Sequence, residues 1–125
     1  MRKIFCLLAF LLFFLFSCRS NDNPNDFAVF NLIGNINYNY YVGFFVCDGK
    51  VSFQTNFTVK LCRIYITIKD ANSTEIKLNS AFLDPPDLQP SKGTASFAVR
   101  FDDPQKAIWN RMDRMKTAWE VKYEK

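Results

Sequence analysis

The chain reads as a mainly β protein, an antiparallel β-sandwich with one short helix inserted before the last strand. Three observations predict this. Between Phe27 and Tyr123, seven or so short runs rich in Phe, Tyr, Val, Ile and Thr recur with turn residues between them. The clearest run, Phe57 to Lys69, alternates strictly, with Cys62, Ile64, Ile66 and Ile68 on one face and Arg63, Tyr65, Thr67 and Lys69 on the other. Only the stretch after Asp103 has apolar residues at helical spacing.

In chain order, a first strand is expected over 27–33 and a second over 37–47, with breaks near Gly34-Asn35 and at Gly43. Asp48-Gly49 carries the signal of a tight turn, after which Val51-Ser52-Phe53 opens an extended run that ends at Asn56. The alternating strand 57–69 follows, and its periodicity predicts one core face and one wet face. Asp70-Ala71-Asn72-Ser73 is a turn cluster joining it in a hairpin to Glu75-Ile76-Lys77-Leu78. Residues 80–93 hold Pro85, Pro86 and Pro90 and predict an irregular crossing, because proline has no N–H for a central ladder. Thr94 to Phe101 alternates again, turning Ala95, Phe97, Val99 and Phe101 one way. Asp103-Pro104 has the form of an N-cap followed by proline in the first turn, and Ile108, Met112 and Met115 predict a helix over 104–116 with that stripe packed inward. Trp119, Val121 and Tyr123 alternate with Glu120, Lys122 and Glu124, which predicts a closing strand.

The N-terminus sets the domain organisation. Arg2 and Lys3 precede an apolar run from Ile4 to Phe16, and Leu15-Phe16-Ser17-Cys18 ends it with a small residue directly before a cysteine. A spanning helix needs about 20 apolar residues, more than this run supplies before the polar tract Arg19 to Asp26. An ordinary secretory signal would explain the run but not the position of Cys18. The segment resembles a bacterial lipoprotein signal, whose lipobox ends in the cysteine that is acylated and becomes the new N-terminus. The resemblance implies residues 1–17 as signal peptide, Cys18 as the lipidation site, 18–26 as a tether and 27–125 as the domain. It also implies a cell-envelope location; Arg19 stands where enterobacterial lipoproteins retained at the inner membrane have Asp, which favours the outer membrane.

Removing residues 1–17 leaves 108 residues, enough for one domain and one core. It also removes Arg2 and Lys3, so the formal charge falls from +4 to +2, too little to point to nucleic acid. Cys6 leaves with the signal and Cys18 is used for lipid, so Cys47 and Cys62 remain. In an oxidising compartment an even remainder suggests a Cys47–Cys62 disulfide, worth about 3 kcal/mol for a loop of this length. Two buried free thiols are the competing arrangement.

The absence of histidine excludes Ser-His-Asp, Cys-His and His-ligated metal chemistry. Two acidic pairs, Asp84 with Asp87 and Asp102 with Asp103, are the remaining candidates for acid–base chemistry or calcium, but neither has the ligand spacing of a calcium loop. A solvated turn and a helix cap explain them better. No catalytic residue, metal site or cofactor is therefore expected. Asn56-Phe57-Thr58 and Asn72-Ser73-Thr74 match the glycosylation sequon, which has no bearing behind a bacterial signal. The basic residues Lys106, Arg111, Arg114, Lys116, Lys122 and Lys125 outnumber the acids of the tail and are candidates for contact with anionic headgroups.

Gly49-Lys50-Val51, the strand ending at Asp70-Ala71, and Leu88-Gln89-Pro90-Ser91-Lys92-Gly93-Thr94-Ala95-Ser96-Phe97 resemble the bacterial immunoglobulin-like domains of the FxLYD or CARDB type. Phe53 stands where those domains have Asn, Ser73 where they have Gly, and Ser91-Lys92 intervene before Gly93. The resemblance implies an immunoglobulin-like sandwich and a non-enzymatic binding, adhesion or assembly role towards an envelope protein or glycan. The alternative is a hydrophobic or glycan ligand held between the aromatic strands 27–45 and the helix bearing Trp109, Met112 and Met115.

Overall fold

The computed structural model describes residues 24–125. The expected signal peptide, the expected lipidation site Cys18 and most of the expected tether lie outside the described residues.

The domain is an antiparallel β-sandwich of two three-stranded sheets. One sheet has the order β1-β2-β5, formed by Ala28–Tyr41, Phe44–Thr55 and Ser91–Asp102. The other has the order β4-β3-β6, formed by Glu75–Phe82, Lys60–Lys69 and Ala118–Glu124. A five-residue helix, α1 (Ala107–Arg111), and a 3-10 turn at Arg114–Lys116 precede β6. The mainly β class and the short helix before the last strand agree with the sequence.

The core lies between the sheets, where period-two alternation delivers it. From β2 come Phe45, Cys47, Val51 and Phe53, from β3 Cys62, Ile64, Ile66 and Ile68, and from β5 Ala95, Phe97, Val99 and Phe101, all buried. Full burial of each large aliphatic side chain stabilises the fold by about 1.5–3 kcal/mol. Phe45 and Phe101 stack across neighbouring strands with centroids 5.1 Å apart. Thr55 is the buried polar residue on this face, and its hydroxyl is satisfied by the Phe57 carbonyl at 2.7 Å.

Among the described residues six strands replace the expected seven, and the reason lies in three glycines. The expected strands 27–33 and 37–47 are redrawn: β1 continues through Gly34-Asn35 with a register shift between Ile33 and Asn37, Gly34 taking φ +67° in the bulge. The chain reverses instead at Val42-Gly43, where Gly43 has φ +88°. Asp48-Gly49, expected as a turn, lies inside β2 and pairs on both sides, Asp48 with Asn37 and Ala98, and Gly49 with Phe97. Glycine serves packing there: a Cβ on Gly49 would stand 3.0 Å from Cζ of Phe97.

The helix is shorter than its apolar spacing predicts. It begins only after Lys106, which is left-handed at φ 60°. It ends at Met112, whose extended backbone bridges Asp70, while the Asp113 N–H donates to the Lys69 carbonyl at 2.8 Å. Pairing with the end of β3 thus outcompetes another helical turn. Ile108 and Met112 pack on the core, but Met115, on the 3-10 turn, is 93% exposed.

Candidate functional site

Strand directions give the sandwich two distinct ends. At one, Asp26 and Lys125 form an ion pair of 3.1 Å, and Asn56 ties down the chain start by accepting from the Phe27 N–H and donating to the Asn25 carbonyl. At the other lie the Val42-Gly43 hairpin, α1 and the turn between β3 and β4. Asp103 organises that end. It is 3% exposed, and its carboxylate accepts from the N–H groups of Ile108 at 3.1 Å and Trp109 at 2.9 Å. Its own N–H donates to Gly43 and its carbonyl accepts from the Tyr40 hydroxyl at 2.8 Å. Asp103 is not the N-cap residue expected, since Lys106 holds that position, but its carboxylate reaches past Pro104 and Lys106 to accept from the first turn of a later helix. This fixes Trp109 against Tyr40 and Phe45, with ring centroids 5.5 Å and 5.6 Å away.

Along one side of the sandwich the edges of β1 and β6 face each other without pairing. Phe30 meets Tyr123 near the Asp26–Lys125 end, and the Tyr38 hydroxyl donates to Thr117 Oγ1 at 2.8 Å near the other. Between these two ties lies a cleft of about 550 Å³, lined by Leu32, Ile36, Tyr38, Trp119, Thr117 and Arg114, with Asn35 and Met115 on its rim. The β1 bulge places Asn35 and Ile36 there, as bulges re-aim side chains. Burial keeps the Tyr38 phenol above its ordinary pKa, so it stays a donor to Thr117. Arg114 lies over the rings of Trp109 at 4.4 Å and Tyr38 at 5.3 Å. The tyrosines of β1 and the tail arginine were visible in the sequence; that they meet across β1 and the 3-10 turn was not.

The expected Cys47–Cys62 disulfide is not present: both cysteines are buried free thiols. They belong to different neighbourhoods of the core. Cys47 sits on the rung between Tyr38 and Val99, whereas the Cys62 backbone is bonded to Pro86 and Leu83 towards the Asp26–Lys125 end. Burial first, and then the Asp48 charge, pushes the Cys47 thiol up to about 12; burial and then Asp87 push Cys62 up to about 11. Each is a small core hydrophobe.

The acidic pairs have structural partners. Asp87 accepts from the Leu61 N–H at 2.9 Å, the Asp84 backbone bridges Ser96, and Asp102 is an exposed partner of Arg100 at 3.0 Å. Among the described residues no group of three or more His, Cys, Asp or Glu is placed to hold a metal ion, and no helix is long and apolar enough to cross a membrane. The basic residues of the tail are divided, with Lys125 beside Asp26 at one end and Lys106 and Arg114 over Tyr40 and Tyr38 towards the other. Comparison with family models, curated proteins and solved structures finds no match.

Proposed function

We propose that this protein is a lipid-anchored, non-enzymatic module of the cell envelope, held at Cys18 and displaying its domain for binding, adhesion or assembly. The observation that supports it best is the polarity of the sandwich. The tether enters β1 beside the C-terminus, pinned by Asp26 and Lys125, while the opposite end exposes Val42 at 98% and Met115 at 93%. A 14-residue strand spans roughly 40–45 Å. The nine residues from Cys18 to Asp26 reach at most about 30 Å. A domain tethered in this way cannot stand inverted with its far end on its own bilayer, and upright it presents that end to other envelope components. The immunoglobulin-like resemblance and the envelope location belong to the same proposal. Replacing Cys18 tests it: Cys18→Ala should abolish lipid labelling and move the protein out of the membrane fraction. Retention of the mature-size chain in membranes, extractable by detergent alone, would contradict it.

A second reading, a ligand-binding lipoprotein, is favoured by one observation, the cleft between β1 and β6. Its walls include the expected aromatic strand β1 and Met115, but Trp109 and Met112 of the expected helix wall pack on the core instead, and Arg114, Thr117 and Trp119 take their place.

A further inference from the structure

Arg114 is the one charged residue among the eight that line the β1–β6 cleft. The other walls are Leu32, Ile36, Trp119 and the face of Tyr38, closed at one end by the Tyr38–Thr117 hydrogen bond. Arg114 takes part in neither of the ion pairs formed among the described residues, Arg100–Asp102 and Asp26–Lys125. Nor do its guanidinium N–H groups donate to any acceptor among those residues; its ring contacts are with Trp109 and Tyr38. Both rings lie within cation–π reach of the guanidinium. A guanidinium carries five donors in a fork that suits a carboxylate or phosphate. A volume of about 550 Å³ is in the range of small-molecule sites, which combine mostly apolar walls with a few placed polar groups.

We propose that the cleft binds a single-chain anionic amphiphile, its hydrocarbon chain lying between β1 and β6 along Leu32, Ile36 and Trp119 and its head paired with Arg114. This rests on the ligand-binding reading and goes beyond it in naming the ligand class. Charge complementarity selects the head: a cationic amphiphile would meet Arg114 with like charge, and a neutral sugar would leave its donors without a charged partner. The apolar walls select the tail.

The test is native mass spectrometry of the full-length protein isolated from membranes in a neutral detergent. It is titrated with decanoate, laurate and myristate below their micelle concentrations, and with dodecyltrimethylammonium as the cation of matched length. Laurate should bind at least about tenfold more tightly than the cation, the equivalent of one charge-assisted hydrogen bond. Affinity should rise about fourfold per added methylene where the chain is buried. Arg114→Gln, a change at an exposed side chain, should remove the preference for the anion and leave the chain-length dependence. Adducts that grow with chain length but ignore head charge, or that keep the anion preference in Arg114→Gln, would overturn the anionic ligand while leaving a binding cleft. Absence of any adduct would overturn both. The same spectra report the mass of the chain itself, so the state of Cys18 is read separately.

Discussion

Phe97 lies directly across the β2–β5 ladder from Gly49 and covers it with its ring, so that a Cβ on Gly49 would stand 3.0 Å from Cζ and 3.2 Å from Cε2. The arrangement is repeated four residues along: Phe53 is opposite Gly93 and its Cζ would be 3.1 Å from a Cβ there. In each case a large core ring takes the space that its cross-strand partner leaves empty. Gly49→Ala should destabilise the domain by about 1–3 kcal/mol through overpacking, although alanine has the better intrinsic preference for ordered structure. Gly49→Ala combined with Phe97→Leu should cost less than the two single changes added together. Denaturant unfolding of the four proteins gives the result.

Sequence periodicity revealed most of this fold because the sandwich has one wet and one dry face on β2, β3 and β5, and alternation reports that difference directly. The faces of β3 and β5 are those the pattern gives. Asp48-Gly49 misled because glycine has two uses: it permits turns, and it admits a neighbouring ring. A single sequence shows the residue but not whether a phenylalanine stands opposite. The helix was overextended for a related reason, since the spacing of Ile108, Met112 and Met115 contains nothing about the competing backbone partners Lys69 and Asp70. The cleft was half legible, in its aromatic strand and basic tail, but the meeting of Arg114 with Tyr38 depends on sheet order.

Asp103 should be the most sensitive surface-proximal position. Asp103→Ala removes two charge-assisted acceptor interactions at the start of α1 and should cost about 2–4 kcal/mol. Asp103→Asn keeps one acceptor oxygen and should cost less. Thermal unfolding measures both, and an increase in Trp109 exposure, read by fluorescence quenching, would accompany the loss.

Ser73 occupies the left-handed region at φ 63° in the turn where Asp70 accepts from the N–H groups of Asn72 and Thr74. Glycine takes this conformation without a Cβ penalty. Ser73→Gly should therefore raise stability by up to about 1 kcal/mol, the strain relieved exceeding the entropy that glycine adds to the unfolded chain. A decrease in the unfolding midpoint would show that the serine is not strained.

The two buried thiols make stability depend on pH in the alkaline range. Both folded pKa values are raised, so their contribution is fully present below about pH 8.5. It is lost as pH rises towards about 11 for Cys62 and about 12 for Cys47. Between pH 8 and 10.5 the parent protein should lose more stability than the Cys47→Ala, Cys62→Ala double variant. Native protein should also resist alkylation at both positions until it is unfolded.

The central claim is the anchor at Cys18, and intact mass spectrometry of the chain extracted from membranes tests it most directly. The expected species begins at Cys18, carries the added mass of its acyl groups, and accepts alkylation at Cys47 and Cys62 after denaturation without reductant. A chain that begins at any other residue, or at Cys18 with no acyl mass, would contradict the account.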